Sequence, residues 1–393
     1  MNKIAVILAL PVEYSSSAML RCKGVIEGLR EIGNEVVCFS PSQRSKSLYS
    51  DGIDKTEEVN VIRYGKPLLS GTMLSENINE SKGIRNLVVK LLYTCFKKFD
   101  IFGASIVNIP YRKVISEKIK KEKFDYVISF SDPLTAHVIG KYCKKNSKKV
   151  KYIQQWGDPL SGDIISKTGL PIFVRKIIEA DMIKNADRIC YVSPFTLLAQ
   201  KKMFHRYAHK MIFTPTPSLS YGNDLGCEKK RERELRFGYF GSYYSSARNI
   251  LPFYQASRRA KDIVVYIIGD SDISLESGDG VAIHQRLGKK ELEYYIKECD
   301  ILVCLMNLKG NQIPGKVYHD SSLEKDILFI KDGEYGDEIQ NFFDKFDHYT
   351  FVENEENKIL QAIENYRKNG VPTRKPVEDF MPVNIAKKMM DGI

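Results

Sequence analysis

At 393 residues, 43% hydrophobic and 28% charged, the chain is longer than one core usually covers, so two domains are expected. It holds no apolar run of eighteen residues, so no helix is expected to span a membrane. The net charge of +11 calls for an anionic partner; with no basic groove helix, RNP-like aromatic strand or zinc knuckle, nucleic acid is not expected, which leaves a membrane surface or a phosphorylated small molecule.

The N-terminal apolar run lacks a small-residue cleavage site and runs into Pro11, so it reads as a buried strand at 4–9 and not as a signal peptide. Further strand-like runs lie at 35–39, 59–64, 126–130, 150–154 and 188–192, with helical patterns at 20–31, 82–98, 111–121, 134–145 and 172–184. Such alternation predicts a doubly wound parallel sheet. The hydrophilic stretch 221–234 has no apolar period and reads as a linker. A second series follows, with strands at 236–240, 263–268, 281–284, 301–305, 327–330 and 349–351 and helices at 250–260, 289–298, 316–324, 336–346 and 355–368. The expected domains are therefore 1–220 and 235–375, with 376–393 crossing over to end in a short helix at 383–390 that packs back on the first domain. The eight cysteines form no C-x-x-C pair and read as reduced thiols of a cytoplasmic protein.

The lysine-rich stretches 113–123 and 141–151 concentrate the basic excess in the first half. They read either as solvated helix faces or as a membrane-facing surface. The 82–98 pattern puts Leu87, Leu91 and Phe96 on one face and its cations elsewhere, so it either packs on the sheet or lies on an anionic membrane.

Two cassettes carry the chemistry. In the first, the strand at 236–240 ends at Gly241, and the polar loop Ser242-Tyr243-Tyr244-Ser245-Ser246-Ala247 leads to Arg248 at the start of a helical pattern. In the second, the strand at 301–305 is followed by Asn311-Gln312-Ile313-Pro314-Gly315-Lys316-Val317-Tyr318-His319-Asp320 and then by another strand. Both place glycine and a cation at a strand exit, where an open α/β sheet binds anionic ligands. Gly241 lets backbone approach a phosphate. Arg248 can grip two phosphate oxygens and Lys316 acts as a point charge. A lysine beside a helix N-terminus also calls for an anion to meet it. The acidic pairs Asp181/Asp187 and Glu353/Glu355 lack the context of a metal site, so no metal is assigned.

Several stretches, in this order, resemble the GT-B glycosyltransferases, and in particular the large retaining family of capsule and O-antigen transferases of the family 4 type. They are Trp156-Gly157-Asp158-Pro159, Ala186-Asp187-Arg188-Ile189-Cys190-Tyr191-Val192-Ser193-Pro194, the loop after Phe240, Tyr266-Ile267-Ile268-Gly269-Asp270, Glu298-Cys299-Asp300-Ile301-Leu302-Val303-Cys304, and Ile313-Pro314-Gly315-Lys316-Val317-Tyr318. The resemblance covers essentially the whole chain. It implies two Rossmann-like domains facing across a cleft, and a sugar moved from a nucleotide-diphosphate sugar to a saccharide acceptor, polyprenyl-diphosphate-linked in many relatives, at the inner face of the plasma membrane. It implies no cofactor or metal, the departing diphosphate being held by amides at Gly241 to Ser246 with Arg248 and Lys316. Gly241, Ser242, Tyr243, Pro314, Gly315, Tyr318, His319 and Asp320 would line the donor site. The family's two motif glutamates are replaced by Asn311 and His319. His319 would bond a ribose hydroxyl, with Asp320 or Asp326 as the nearby carboxylate.

On the acceptor side, strand exits in the first domain carry Ser131, Asp132 and Asp158, whose polar groups suit sugar hydroxyls, and Trp156, which either stacks on a sugar or packs the domain. Asp158 reads equally as a turn residue ahead of Pro159. His137 lies inside a helical run and reads as structural. Two other functions compete: a nucleotide-sugar epimerase or hydrolase, which would want a carboxylate-rich cleft, and a non-catalytic saccharide- or partner-binding protein, which the missing glutamates favour.

Overall fold

The computed structural model describes residues 1–14, 16–42, 60–65, 101–131, 133–162, 169–218 and 234–393. The helix expected at 82–98, Asp132 and all but the last residue of the 221–234 linker lie outside them. The chain divides into two compact units, Met1–Pro215 with Ile385–Ile393, and Thr216–Asn384.

The first unit is built on seven parallel strands: β1 Lys3–Ile7, β2 Glu35–Pro41, β3 Asn60–Tyr64, β4 Tyr126–Phe130, β5 Lys151–Trp156, β6 Arg188–Tyr191 and β7 Met211–Phe213, in the order β3-β2-β1-β4-β5-β6-β7. β1 is apolar without alternation because both its faces are covered. Ile4 and Val6 pack with the helix α1 (Ser17–Glu31), whereas Ala5 and Ile7 pack in the opposite layer with α2 (Arg112–Lys121) and α3 (Thr135–Asn146). The C-terminal residues Ile385, Ala386 and Met389 are fully buried beside Ile4, Val25 and Ile153, and Arg188 Nη1 donates to Met389 O at 3.0 Å. Further along the described residues lie the helices α4 (Ile172–Ile183) and α5 (Pro194–Met203). α5 has no counterpart in the predicted elements, although its start is signalled: Ser193 accepts from Thr196 N and Pro194 opens the first turn. β7, at three residues, is too short for any period to reveal.

The second unit has six parallel strands: β8 Leu235–Phe240, β9 Ile263–Ile268, β10 Val281–His284, β11 Ile301–Leu305, β12 Asp326–Lys331 and β13 Tyr349–Glu353. Their order is β10-β9-β8-β11-β12-β13. The strand order reverses between β8 and β11, which is the switch point where such sheets take ligands. The helix expected at 316–324 is shorter, Gly315–His319 (α6), and tightens into a 3-10 turn at Asp320–Ser322. Similarly, the helix expected at 336–346 is Gly336–Phe343 followed by a 3-10 turn. Tyr318, Phe329, Phe343 and Phe380 form an aromatic layer under one face of this sheet, with ring centroids 4.9–6.2 Å apart.

Among the described residues no helix is long and apolar enough to cross a membrane. Cys22, Cys38, Cys143, Cys190, Cys299 and Cys304 are buried thiols. Burial pushes those of Cys38, Cys143, Cys190 and Cys304 up to about 12.

Candidate functional site

The two cations singled out from sequence converge on the exit of β8. Arg248 Nη1 donates to Ser242 O at 2.7 Å, and its Nε donates to Asn307 Oδ1 at 3.1 Å. Asn307 follows β11, so this bond bridges the switch point between β8 and β11. Asn307 Nδ2 in turn donates to Gln312 O at 3.1 Å, and Leu308 N to Ala247 O at 2.9 Å. Lys316 Nζ lies 5.5 Å above the ring of Phe240, the last residue of β8. A Cβ added at the next residue, Gly241, would come within 3.9 Å of Arg248 Nη1. The Cys304 thiol registers the same cluster: burial raises it most, Arg248 and Lys316 pull it down, and Asp320 pushes it up.

Three details differ from the expected phosphate loop. Arg248 does not open a helix, since the next one starts at Leu251. The amides are not an open cradle: Gly241 N donates to Ile268 O at 3.0 Å, Tyr243 N to Asp270 O at 3.0 Å, and Ser245 N to Asp272 Oδ1 at 2.7 Å. Ser245 Oγ also donates to Asp272 Oδ2 at 2.7 Å, so one carboxylate engages both groups of that residue. Third, the anion that meets Lys316 near its helix start is internal. Lys316 Nζ is 3.0 Å from Asp320 Oδ1, one turn later on the same chain. The loops of β8 and β9 are pressed together at Gly269, where a Cβ would sit 2.1 Å from Gly241 O.

Several expected donor residues are in the core. Tyr318 is buried against Phe343 and Phe380 at 5.5 and 4.9 Å, so it cannot line an open site. Tyr243 is buried edge-on against Tyr239. His319 is buried, with its Nδ1 3.1 Å from Pro217 O. Asp326 begins β12, at the end of the sheet opposite the strand exits. There its carboxylate accepts from Arg374 Nε at 2.6 Å, Thr350 Oγ1 at 2.8 Å and the Tyr366 hydroxyl, a structural role. Gly241, Ser242, Gly315 and Lys316 are half-buried around the β8 exit, while Pro314 is buried. Asn307, Asp272 and Gly269 were not singled out for this site; only the Gly269-Asp270 strand exit hinted at the last of them.

In the first unit, Trp156 is 0% exposed, its Nε1 donates to Gln154 Oε1 at 3.0 Å, and its ring packs on His137 at 4.4 Å. A sugar has no face of it to stack on. Ser131 is also buried. Its Oγ accepts from Gly157 N at 2.7 Å and its N donates to Gln155 O at 2.9 Å, so it ties the exits of β4 and β5 together. Asp158 is half-buried at the β5 exit. His137 is structural: Ser129 Oγ is 2.7 Å from its Nδ1, and burial, with Arg21 nearby, holds the imidazole down at about 3. Among the described residues no three His, Cys, Asp or Glu side chains converge as metal ligands.

Neither a protein-family profile nor a curated protein matches the chain. Solved structures do. The chain is 13% identical to a glycosyltransferase from Rickettsia africae, with TM-score 0.58 over 100% of this chain and 99% of that one. It is 11% identical to HepE from Anabaena, solved with UDP and glucose, with TM-score 0.55 over 100% and 96%. The chain has the GT-B fold. The same fold also relates it to a putative UDP-N-acetylglucosamine 2-epimerase from Listeria monocytogenes, at 10% identity and TM-score 0.53 over 99% and 96%.

Proposed function

We propose that the protein is a glycosyltransferase that moves a sugar from a nucleotide-diphosphate sugar to a saccharide acceptor. The observation that carries this reading is the pairing of Arg248 and Lys316 at the β8 exit, with Arg248 bridged to Asn307 across the switch point. Two cations held there suit a diphosphate leaving group, whose developing charge they would offset without a metal. Arg248 is already oriented by Ser242 O and Asn307, so little ordering remains on binding. The side chains of Arg248, Asn307 and Lys316, together with Ser242 and Ser246, make the contacts; the amides of Gly241, Tyr243 and Ser245 are spent internally.

The family 4 resemblance supports a retaining reaction, in which the acceptor attacks the face that the diphosphate leaves and the phosphate takes its proton. It also supports a lipid-linked acceptor in surface-polysaccharide assembly. Asp158 is the acceptor-side carboxylate in this reading. A second reading, a nucleotide-sugar epimerase, is kept by the epimerase fold likeness at TM-score 0.53.

A thermal-shift panel of UDP, GDP and dTDP tests the donor assignment. One nucleotide raises the melting temperature of the wild type and not of Arg248→Ala. No shift with any of them refutes the assignment. Mass analysis with the matching sugar nucleotides then separates the readings: transfer to a lipid-linked saccharide supports the transferase, and an isomerised or hydrolysed sugar nucleotide without acceptor supports the epimerase.

A further inference from the structure

The strand β13 (Tyr349–Glu353) is an outer edge of the second sheet. Asn354 N, directly after it, donates to Lys331 O at 3.0 Å, which fixes the phase of the ladder to β12. Successive residues of a strand turn their peptide groups to opposite sides. Thr350 and Val352 therefore bond to β12, while Tyr349, Phe351 and Glu353 turn their N–H and C=O groups outward. Among the described residues the one backbone bond on that outward side is local, from Glu355 N to Glu353 O at 2.7 Å. Other sheet edges are blunted: β7 and β10 hold three and four residues, and β3 carries Arg63. β13 has neither proline nor lysine, and Tyr349, Thr350, Phe351 and Val352 all favour strand pairing. Along this edge runs a groove of about 650 Å³, lined by residues 350–353, by Gln340 of the helix Gly336–Phe343 and by Gln361, Asn365 and Asn369 of the helix Glu356–Asn369. Its charges are neutralised locally. Lys331 Nζ is 2.8 Å from Asp337 Oδ1 and 2.6 Å from Glu353 Oε1, and Lys358 Nζ is 3.0 Å from Glu355 Oε1. Two copies of a chain with net charge +11 repel, so they approach most readily where charge is already paired. A carboxamide both donates and accepts, so a row of them complements itself across a two-fold axis. The outward peptide groups share that symmetry, with Tyr349 and Glu353 equally spaced about Phe351.

We propose that β13 pairs antiparallel with β13 of a second copy of this chain, about a two-fold axis at Phe351, so that one sheet runs through both copies. Phe351 then exchanges bonds with Phe351 of the partner subunit, and Tyr349 pairs with Glu353 of the partner subunit. The carboxamides of Gln361, Asn365 and Asn369 flank the new pair. This inference goes beyond the donor assignment and does not depend on it. Sedimentation of the full chain from about 1 to about 100 µM tests it, because a dimer forms by mass action. The expected mass rises from 45.0 kDa towards twice that value. Hydrogen exchange should slow at the Phe351 and Glu353 amides over the same range, while the Thr350 amide, already bonded to β12, stays unchanged. Gln361→Arg combined with Asn365→Arg sets like charges against each other and should weaken the dimer at least about tenfold. Both side chains are exposed, so the melting temperature should not move. Glu353→Pro removes an outward N–H without touching the ladder to β12 and should weaken the dimer as well, whereas Glu353→Gln, which keeps that N–H, should not. A chain that stays monomeric at about 100 µM, leaving the edge to some unrelated strand, overturns the proposal. So does a dimer that the double arginine variant leaves intact, or one that forms without slowing exchange at Phe351.

Discussion

Replacing Lys316 by methionine removes an ammonium 3.0 Å from Asp320 Oδ1 and 5.5 Å above the Phe240 ring. The Lys316 side chain is 23% exposed and that of Asp320 5%. The pair thus lies between a surface bridge, at ~0–1 kcal/mol, and a buried one, whose breakage costs ~3–5 kcal/mol. A loss of ~2 kcal/mol in folding stability is expected for Lys316→Met. Adding Asp320→Asn removes the charge that Lys316 had balanced and should restore part of that loss, a coupling that a double-mutant cycle of urea melts reads directly. Nucleotide affinity should not follow. A charge-assisted contact to a phosphate is worth ~1.5–3 kcal/mol, so both the single and the double variant should bind the selected nucleoside diphosphate about tenfold to a hundredfold more weakly in calorimetry. Recovery of affinity together with stability in the double variant would refute the reasoning, since Lys316 would then serve only as the counter-ion of Asp320.

Asp272→Asn keeps acceptor capacity for Ser245 while removing a negative charge from the loop beside Arg248, so affinity for the nucleoside diphosphate should rise about threefold at low salt. Unchanged calorimetric affinity would show that this charge is not felt at the site. Burial pushes the Glu179 carboxyl up from 4.5 to about 7, while Ser161 N and Oγ donate to it. A carboxyl raised on folding makes the folded state hold the proton, so stability falls as pH rises from 4.5 to about 7, by roughly 3 kcal/mol. Glu179→Gln should remove that slope and melt higher than the wild type at pH above about 7; parallel pH profiles would refute it. Lys325 Nζ donates to Ile296 O at 2.9 Å, Lys297 O at 2.8 Å and Cys299 O, closing the C-terminal end of the helix Lys289–Glu298. Lys325→Met should cost ~2–3 kcal/mol in a urea melt by stranding those carbonyls, and a loss below ~0.5 kcal/mol would show that water replaces the ammonium.

The strands were legible because a parallel strand covered on both faces must be apolar throughout, and runs such as 263–268 and 301–305 have no other use in a water-exposed chain. The boundaries that moved are those of helices shortened by tertiary packing. At 316–324 the pattern continues past His319, but the backbone tightens once Asp320 turns back to Lys316. The site was legible as a pair of cassettes, each a strand exit with a glycine and a cation. That Arg248 reaches Asn307 could not be read from either, because neighbouring strand exits are joined by sheet order and not by sequence distance.

Residue chemistry along the chain was enough to mark two doubly wound sheets and the two cations at their strand exits, since hydrophobic period and turn residues act locally. Packing alone decided that Trp156, Tyr318 and His319 are interior, that Asp326 stands at the wrong end of its strand, and that Asp320 and Asp272 occupy groups reserved in the sequence reading for a ligand. Burial and charge pairing depend on which helix or loop covers a given face, and that is settled only when distant segments meet.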